Sequence, residues 1–513
     1  MFEHRAYGRL RPPTGGQLER YAARHHLDLT EEDRAVFAGA VAGFLAGFDR
    51  LEELDGPVVG SPHHLRDPGG PPSAGEDPFN AFTRLCRVEG APSGRLAGRR
   101  LAVKDCIAVA GVPMTNGGRR QPVFVPTEDA VVVERALDEG AVVVGKTNLE
   151  DMALGLGEGS YFGAARNPMN PRFSTGGSSS GSAAAVAGGL ADMALGTDDA
   201  GSVRLPAAWC GIVGMKATHG LVPTYGMAYF DPSLDHIGPM TSSVADNALL
   251  LEVLAGPDWR DQSARVDRPP VRYTEMAGRP VGSLRAGVLQ EAVDSPILTE
   301  EIGESFTRAR SQLESLGCVV EPVHVPLWPE ALAIELAVMA GGLHAMVATY
   351  GQGSGHWGRM SVEATAANAA QLRLAADDLP PFMKAVLLST EHLKEAYLGV
   401  HFAMAQNLRA ALARQIDEAL STVDVLITPT CPTPPFELLD RPAGAGEMLG
   451  RMFGEAAANT CPLDLSGHPA ITVPCGIGAH DLPIGLQIVG RRFDEATVYR
   501  TAFAFEARQL GVG

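Results

Sequence analysis

The chain has 513 residues, 45% of them hydrophobic and 20% charged, a composition that excludes an extended disordered or fibrous protein and suits one large α/β core with attachments. Its 42 Lys and Arg against 60 Asp and Glu give a net charge of −18 without a basic run, so a nucleic-acid partner is not expected. The seven cysteines lack C-x-x-C spacing, the N-terminal MFEHRAYGRLRPP lacks an apolar stretch, and the Ala/Gly run after Gly181 is cut by Asp192; reduced thiols, no zinc site, no membrane partner and a cytoplasmic location are expected.

Residues 17 to 26 and a longer helix opening at Thr30 form a small N-terminal helical region. Thr30 and Asp33 make a cap signal, and Phe37, Val41, Phe44, Phe48 and Leu51 form one stripe by which the helix should pack. The stretch GPVVGSPHHLRDPGGPPSAGEDP is too rich in Pro and Gly to hold regular structure. It separates residues 1–80 from a domain spanning 81–513.

Short apolar strands then alternate with helices. Strands are expected at 101–105 and 141–145, flanking a helix over 127–140 that Gly140 closes. Further on, strand 285–290 leads to a helix capped by Thr299 and ended by Gly317, followed by the strand CVVEPV. The stretch from about 330 to 420 reads helical. Strands at 423–430, 470–474 and 483–490 precede a last helix from about Asp494. The economical fold is α/β, a large mixed central sheet covered by helices on both faces.

Two literal motif matches fail on physical grounds. GAVVVGKT at 140–147 fits a phosphate-loop pattern, but its four variable residues, Ala141, Val142, Val143 and Val144, are themselves the strand, so Lys146 is a strand-end lysine. GSSSG at 177–181 fits a nucleophile elbow on Ser179, but loop formers, NPMNPRFSTG, stand where the elbow needs an apolar strand. No H-E-x-x-H or comparable ligand cluster occurs among the 14 histidines, so no metal is expected.

GTDDAGSVRLPAAWCGIVGMK at 196–216 carries more chemistry. Ser202 follows Ala200 and Gly201, small residues that let a carbonyl approach the backbone, where successive N–H groups can face one oxygen. Acyl transfer needs such donors for the oxyanion of its tetrahedral intermediate. A hydroxyl nucleophile also needs a base, and no histidine stands close by in sequence. Arg204 reads as a partner for a carboxylate such as Asp198, Ser179 and Ser182 as helix-start caps, and Cys106 and Cys210 as packing.

With GGSSSGSAAAVAGG at 176–189, GTDDAGSVRLPAAWCGIVGMKATHGLVP from 196 and the lysine of LAVKD, the chain resembles the amidase signature hydrolases. The likeness is strongest to bacterial members with an extra N-terminal helical domain, often tied to nitrile degradation. The resemblance implies the amidase signature fold, no cofactor, and a seryl acyl-enzyme formed on a small-molecule amide. It implies a Ser-Ser-Lys triad with Ser202 as nucleophile, Ser178 as bridge behind a cis peptide, and Lys104 as base. By the same resemblance the backbone N–H groups of Asp199, Ala200, Gly201 and Ser202 form the oxyanion hole, Gly176 and Gly177 contact substrate, and the N-terminal region makes a homodimer. Lys104 would have to be neutral, with Asp105 on the opposite strand face. Ala200 and Ser180 stand where the family commonly has glycine, and allophanate hydrolases look similar there. An allophanate- or carbamate-type amidohydrolase and a glutaminase-type subunit of a transamidation complex are the competing activities. The acyl pocket is expected from segments around 115, 150–160, 225–235, 330–360 and 450.

Overall fold

The computed structural model describes residues 10–54, 65–119, 123–264, 269–374, 376–439, 444, 446–447 and 455–511. The chain divides into a unit ending at Gly60 and a unit beginning at Ser61.

In the first unit, helices Gly15–Arg24 and Glu31–Leu54 both begin at reciprocal caps. Thr14 pairs with Gln17, and the Asp33 N–H donates to Thr30 Oγ1 (3.1 Å) while the Thr30 N–H donates to Asp33 Oδ2 (3.0 Å). The apolar stripe of the second helix does not pack as expected. Phe44 is 73% and Phe48 55% exposed, with Phe37 and Leu51 exposed beside them. Two helices are too little chain to cover one another on every apolar face, and only Leu18 and Ala22 of the shorter one are buried.

The second unit is built on one twelve-stranded sheet. In chain order its strands are β1 Arg66–Gly70, β2 Phe82–Glu89, β3 Arg100–Lys104, β4 Val142–Thr147, β5 Met193–Asp198, β6 Val213–Lys216, β7 His236–Thr241, β8 Arg285–Leu289, β9 Val319–Val323, β10 Val425–Pro429, β11 Ala470–Ile477 and β12 Pro483–Val489. Their spatial order is β1-β2-β4-β3-β5-β7-β6-β11-β12-β10-β8-β9. The pairs β3–β4, β3–β5, β8–β9 and β8–β10 are parallel and the rest antiparallel, so the sheet is mixed.

Alternation along the strands shows that both faces are covered. Leu101 and Val103, like Met193 and Leu195, join a core with Val244, Phe306 and Tyr499, whereas Ala102 and Ala194 join Ala183, Ala184 and Ala185 on the other side. Lys104 shares the face of Ala102 by the same period, which directs it toward helix Ser180–Ala187. The edge strand β1 falls inside the connector expected to lack regular structure. Its Pro68 is tolerated because β1 pairs on one side only, and the register shifts between Asp67 and Gly70.

On one flank, helix Ala331–Ala348 is apolar apart from Glu335 and His344. The stretch Trp328–Ala348 is long enough to cross a membrane by length and composition. Its residues Ile334, Val338 and Leu343 instead share a core with Leu412 and Ile416 of helix Val400–Thr422.

Candidate active site

Lys104, the last residue of β3, is wholly buried. Its Nζ lies 2.8 Å from Ser178 Oγ and 2.7 Å from Thr197 Oγ1. Burial lowers the pKa of this amine, against the opposing pull of Cys106, Asp199, Glu150 and Asp198, and so favours the neutral form that can accept a proton. Asp105 faces elsewhere: it accepts from Thr115 (3.0 Å from the N–H, 2.5 Å from Oγ1), and Lys146 Nζ stands 3.1 Å from it. Thr197, on β5, was not singled out by sequence reasoning, since a threonine in a buried strand carries no signal of its own. Cys106 packs in the core as expected, and its Sγ lies 3.9 Å from Thr197 Oγ1.

The Gly177–Ser178 peptide is cis. A Cβ on Gly177 would run into Gly155 O and Glu150 Oε2 (2.6 Å), so glycine is required there. Gly177 lines the cavity beside Ser202, whereas Gly176 turns at φ +76° and backs onto Leu205 and Trp209; of the two glycines expected at substrate, only Gly177 reaches the cavity. The two neighbouring serines are not side-chain caps. Ser179 sits at the N-cap position of helix Ser180–Ala187, but its hydroxyl accepts from the Thr197 N–H and donates to Thr197 O, both at 3.1 Å. Ser182, inside the helix, donates to Leu195 O (3.0 Å) and meets Thr147 Oγ1 (2.7 Å). Buried hydroxyls surrounded by strand backbone find partners there, and the helix is thereby tied to β4 and β5.

The Ser179 N–H donates to Ser202 O (3.3 Å), joining the Ser178 segment to the loop after β5. Asp198 shapes that loop by accepting from the N–H of Gly201 (2.6 Å), Val203 (3.1 Å) and Arg204 (3.3 Å). The Gly201 N–H is therefore already engaged, which corrects the expected four-donor oxyanion hole; Asp199, Ala200 and Ser202 supply the remaining candidate N–H groups. Gly201 has φ +122°, and a Cβ there would collide with Thr460, whose Oγ1 donates to Ala200 O (2.7 Å).

Arg204 underpins the loop. Wholly buried, it reaches Asp198 (Nη2 to Oδ1 2.9 Å, Nε to Oδ2 3.0 Å), Asp464 (2.6 Å), Thr460 O (3.0 Å) and Gln487 (2.9 Å). Although burial works the other way, Arg204 and three backbone donors hold Asp198 down at about 2. Asp464 shares the same guanidinium but lies on the raised side, because burial and the charge of Asp198 outweigh its one bond. Asp199 and Asp235 are a second acid pair: burial raises both, and the hydrogen bond and charge of Asp199 push Asp235 further. Glu150, buried beside Gly177, is pushed up to about 7.

Ser202 opens onto a cleft of about 740 Å³ lined by Gly177, Asp199, Ala200 and Gly201 on one side and by Leu154, Leu156, Phe230, Leu332, Leu336, Met339 and Phe382 on the other. Of the segments expected to line it, those around 150–160, 225–235 and 330–360 contribute. Those around 115 and 225–235, with part of 330–360, line a separate, larger cavity of about 1200 Å³ that contains none of Lys104, Ser178 and Ser202; the segment around 450 lies mostly outside the described residues. Lys146, the lysine of the phosphate-loop look-alike, is buried within β4 and donates to Ile107 O (2.6 Å). The histidine-free cluster of Lys104, Ser178 and Thr197 beside a loop of small residues is an arrangement for serine-based acyl chemistry.

The amidase family profile matches residues 81–499. A glutamyl-tRNA(Gln) amidotransferase subunit from Synechococcus sp. (strain CC9605) is 37% identical over 421 residues, 82% of this chain and 84% of that protein. The crystal structure of the corresponding glutamyl-tRNA(Gln) amidotransferase subunit from Thermotoga maritima superposes with a TM-score of 0.67 at 32% identity, covering 83% of this chain and 85% of that one. A peptide amidase in complex with the competitive inhibitor chymostatin gives 0.66 at 30% identity, with 81% and 84% covered. The chain belongs to the amidase signature family, enzymes that act on carbon–nitrogen amide bonds.

Proposed function

We propose that the protein hydrolyses a small carboxylic amide to carboxylate and ammonia or amine through an acyl-enzyme on Ser202. The observation that carries this reading is the buried Lys104 amine 2.8 Å from Ser178 Oγ, with the Ser178 segment bonded to the Ser202 loop. Neutral Lys104 takes the proton of Ser178, and Ser178 takes that of Ser202 as its oxygen attacks the carbonyl. The oxyanion is met by backbone N–H groups of the 199–202 loop. The relay then runs in reverse, the departing nitrogen leaves protonated, and water cleaves the ester by the same path. Treatment with a fluorophosphonate followed by mass spectrometry should find one adduct, on Ser202, absent in Ser202→Ala. An adduct on Ser179 would overturn the assignment.

A glutaminase-type subunit of a transamidation complex is the second reading, favoured by the identity to the amidotransferase subunits. Against it, no Lys or Arg occurs among the described residues lining the cleft to hold the α-carboxylate of glutamine; the same lack weighs against allophanate. Turnover of hexanamide by the isolated chain, without release of ammonia from glutamine, is the expected result. The proposal includes a homodimer through helix Glu31–Leu54, supported by its uncovered stripe, and a cytoplasmic location, supported by seven buried cysteines with free thiols. Sedimentation as a monomer would remove the dimer.

A further inference from the structure

The wall of the Ser202 cleft contains a group the hydrolytic steps do not use. Helix Ala331–Ala348 presents Leu332, Leu336 and Met339 to the cleft at helical spacing, and on the same line stands Glu335. Glu335 is 1% exposed, and both of its carboxylate oxygens are buried without a hydrogen-bond partner. The charges around it are Asp464, Arg409, Asp199 and Asp231. Arg409, the one cation among them, spends its donors on Leu465 O (2.7 Å), Ser233 Oγ (2.8 Å) and Ser233 O (2.7 Å).

An unpartnered carboxyl among leucines costs a fold several kcal/mol, and a leucine or methionine in its place would remove that cost. A sequence that places such a group in the same cleft as Ser202 breaks a packing rule at a position where function can compensate for it. Apart from Glu335, the only ionisable side chain among the described lining residues is Asp199, also acidic. Among the described lining residues the cleft is otherwise apolar or small, and none is a cation.

Resting on the reading of Ser202 as nucleophile, we propose that Glu335 recognises the far end of the acyl chain, and that the substrates are amides whose aliphatic acyl chain carries a primary ammonium group. The ammonium supplies the three donors that the two orphaned oxygens lack, and the leucines and Met339 take the methylenes between it and the scissile carbonyl. Burial raises the pKa of Glu335, so a bound ammonium draws the carboxyl toward its charged form and binding releases a proton.

The test uses 5-aminopentanamide and its isostere hexanamide, which differ by ammonium against methyl. The wild type should favour the aminated amide at least tenfold in kcat/KM. Glu335→Gln should erase that preference and Glu335→Asp should recover part of it. Glu335→Met should melt no lower than the wild type, because it removes an unpaired buried acid; a structural role would make it melt lower. An equal ratio in wild type and Glu335→Gln, or a wild-type preference for hexanamide, overturns the inference while leaving amide hydrolysis intact. Should neither amide turn over and Ser202 stay unlabelled, the hydrolytic reading is what has failed. Calorimetric titration with pentylammonium then decides on Glu335 alone: binding with proton release, weakened at least tenfold in Glu335→Gln, supports it, and absent or unaltered binding refutes it.

Discussion

Replacing Lys104 by methionine tests the base and its electrostatics together. Methionine nearly fills the lysine's volume but cannot take a proton, so Ser178 Oγ and Thr197 Oγ1 each lose a partner that stood 2.8 and 2.7 Å away. Loss of a positioned general base typically costs 10² to 10⁴ in rate, on the order of 3 to 5 kcal/mol of transition-state stabilisation. Stability should move the other way. Because burial lowers the Lys104 pKa, the unfolded chain binds a proton that the folded one gives up. Wild-type stability therefore rises with pH between the lowered folded value and the ordinary 10.5, by up to about 1.4 kcal/mol per pH unit. The methionine variant lacks that slope, so its melting temperature relative to wild type should improve as pH falls, against about 1 kcal/mol for each hydrogen bond lost. The assay is kcat/KM for hexanamide from pH 6 to 10, with thermal melts across the same range. Wild-type activity should rise toward alkaline pH, because the base works deprotonated. Glu150, pushed up to about 7 by burial, falls inside that range, and the residual profile of the variant separates the two. A variant within threefold of wild type, or melts whose difference ignores pH, would refute the neutral-amine argument.

Thr197→Val should lower kcat about tenfold with little change in KM, since the lost hydroxyl holds Lys104 and not substrate; a change confined to KM would contradict this. Gly201→Ala should lose at least tenfold in kcat/KM, because its Cβ meets Thr460 and its φ of +122° suits glycine; an active alanine variant with an unmoved loop in a crystal structure would be the contrary result. Arg204→Met leaves Asp198 and Asp464 buried without their cation and should cost about 3 to 5 kcal/mol in denaturant melts. The same pairing sets an acid limit. With Asp198 held at about 2 from an ordinary 3.8, its contribution is present above 3.8 and lost as pH falls toward 2, and Asp198→Asn should flatten stability over that window.

Most of the sheet outside its middle was legible because its strands are apolar and end at strong stops. Gly140 and Gly317 both adopt positive φ where helices were expected to close, and Asp494 caps the last helix by accepting from the Thr497 N–H. The middle strands β5, β6 and β7 were not, since MALGTD, VGMK and HIGPMT are buried on every residue yet mix Gly, Pro, Asp and Lys with their apolar side chains. Burial on both faces removes the alternation that marks a strand from sequence. The stripe at Phe37 to Leu51 failed in the opposite sense: periodicity reveals that a helix has an apolar face, not what covers it.

The same division runs through the site. Ser178 and Ser202 stand in segments rich in glycine and small residues, as a backbone that must approach a substrate closely and turn sharply requires, and that leaves an imprint on local sequence, whereas Lys104 ends an apolar strand and was singled out only by the family resemblance. The groups that hold them in place leave none. Thr197, Thr460 and Asp464 act from buried positions far apart in the chain from the groups they hold, 93 residues separating Lys104 from Thr197 and 260 separating Thr460 from Ala200. Glu335 is the extreme case, one acid in the apolar run ALAIELAVMA, where sequence alone offers no reason to prefer a recognition residue over a surface position of an amphipathic helix. Only its 1% exposure and its place on the Ser202 wall separate the two readings. On the proposed reading, the reacting serines lie in short local motifs, while the group that chooses the substrate is set by which side of helix Ala331–Ala348 meets the cleft.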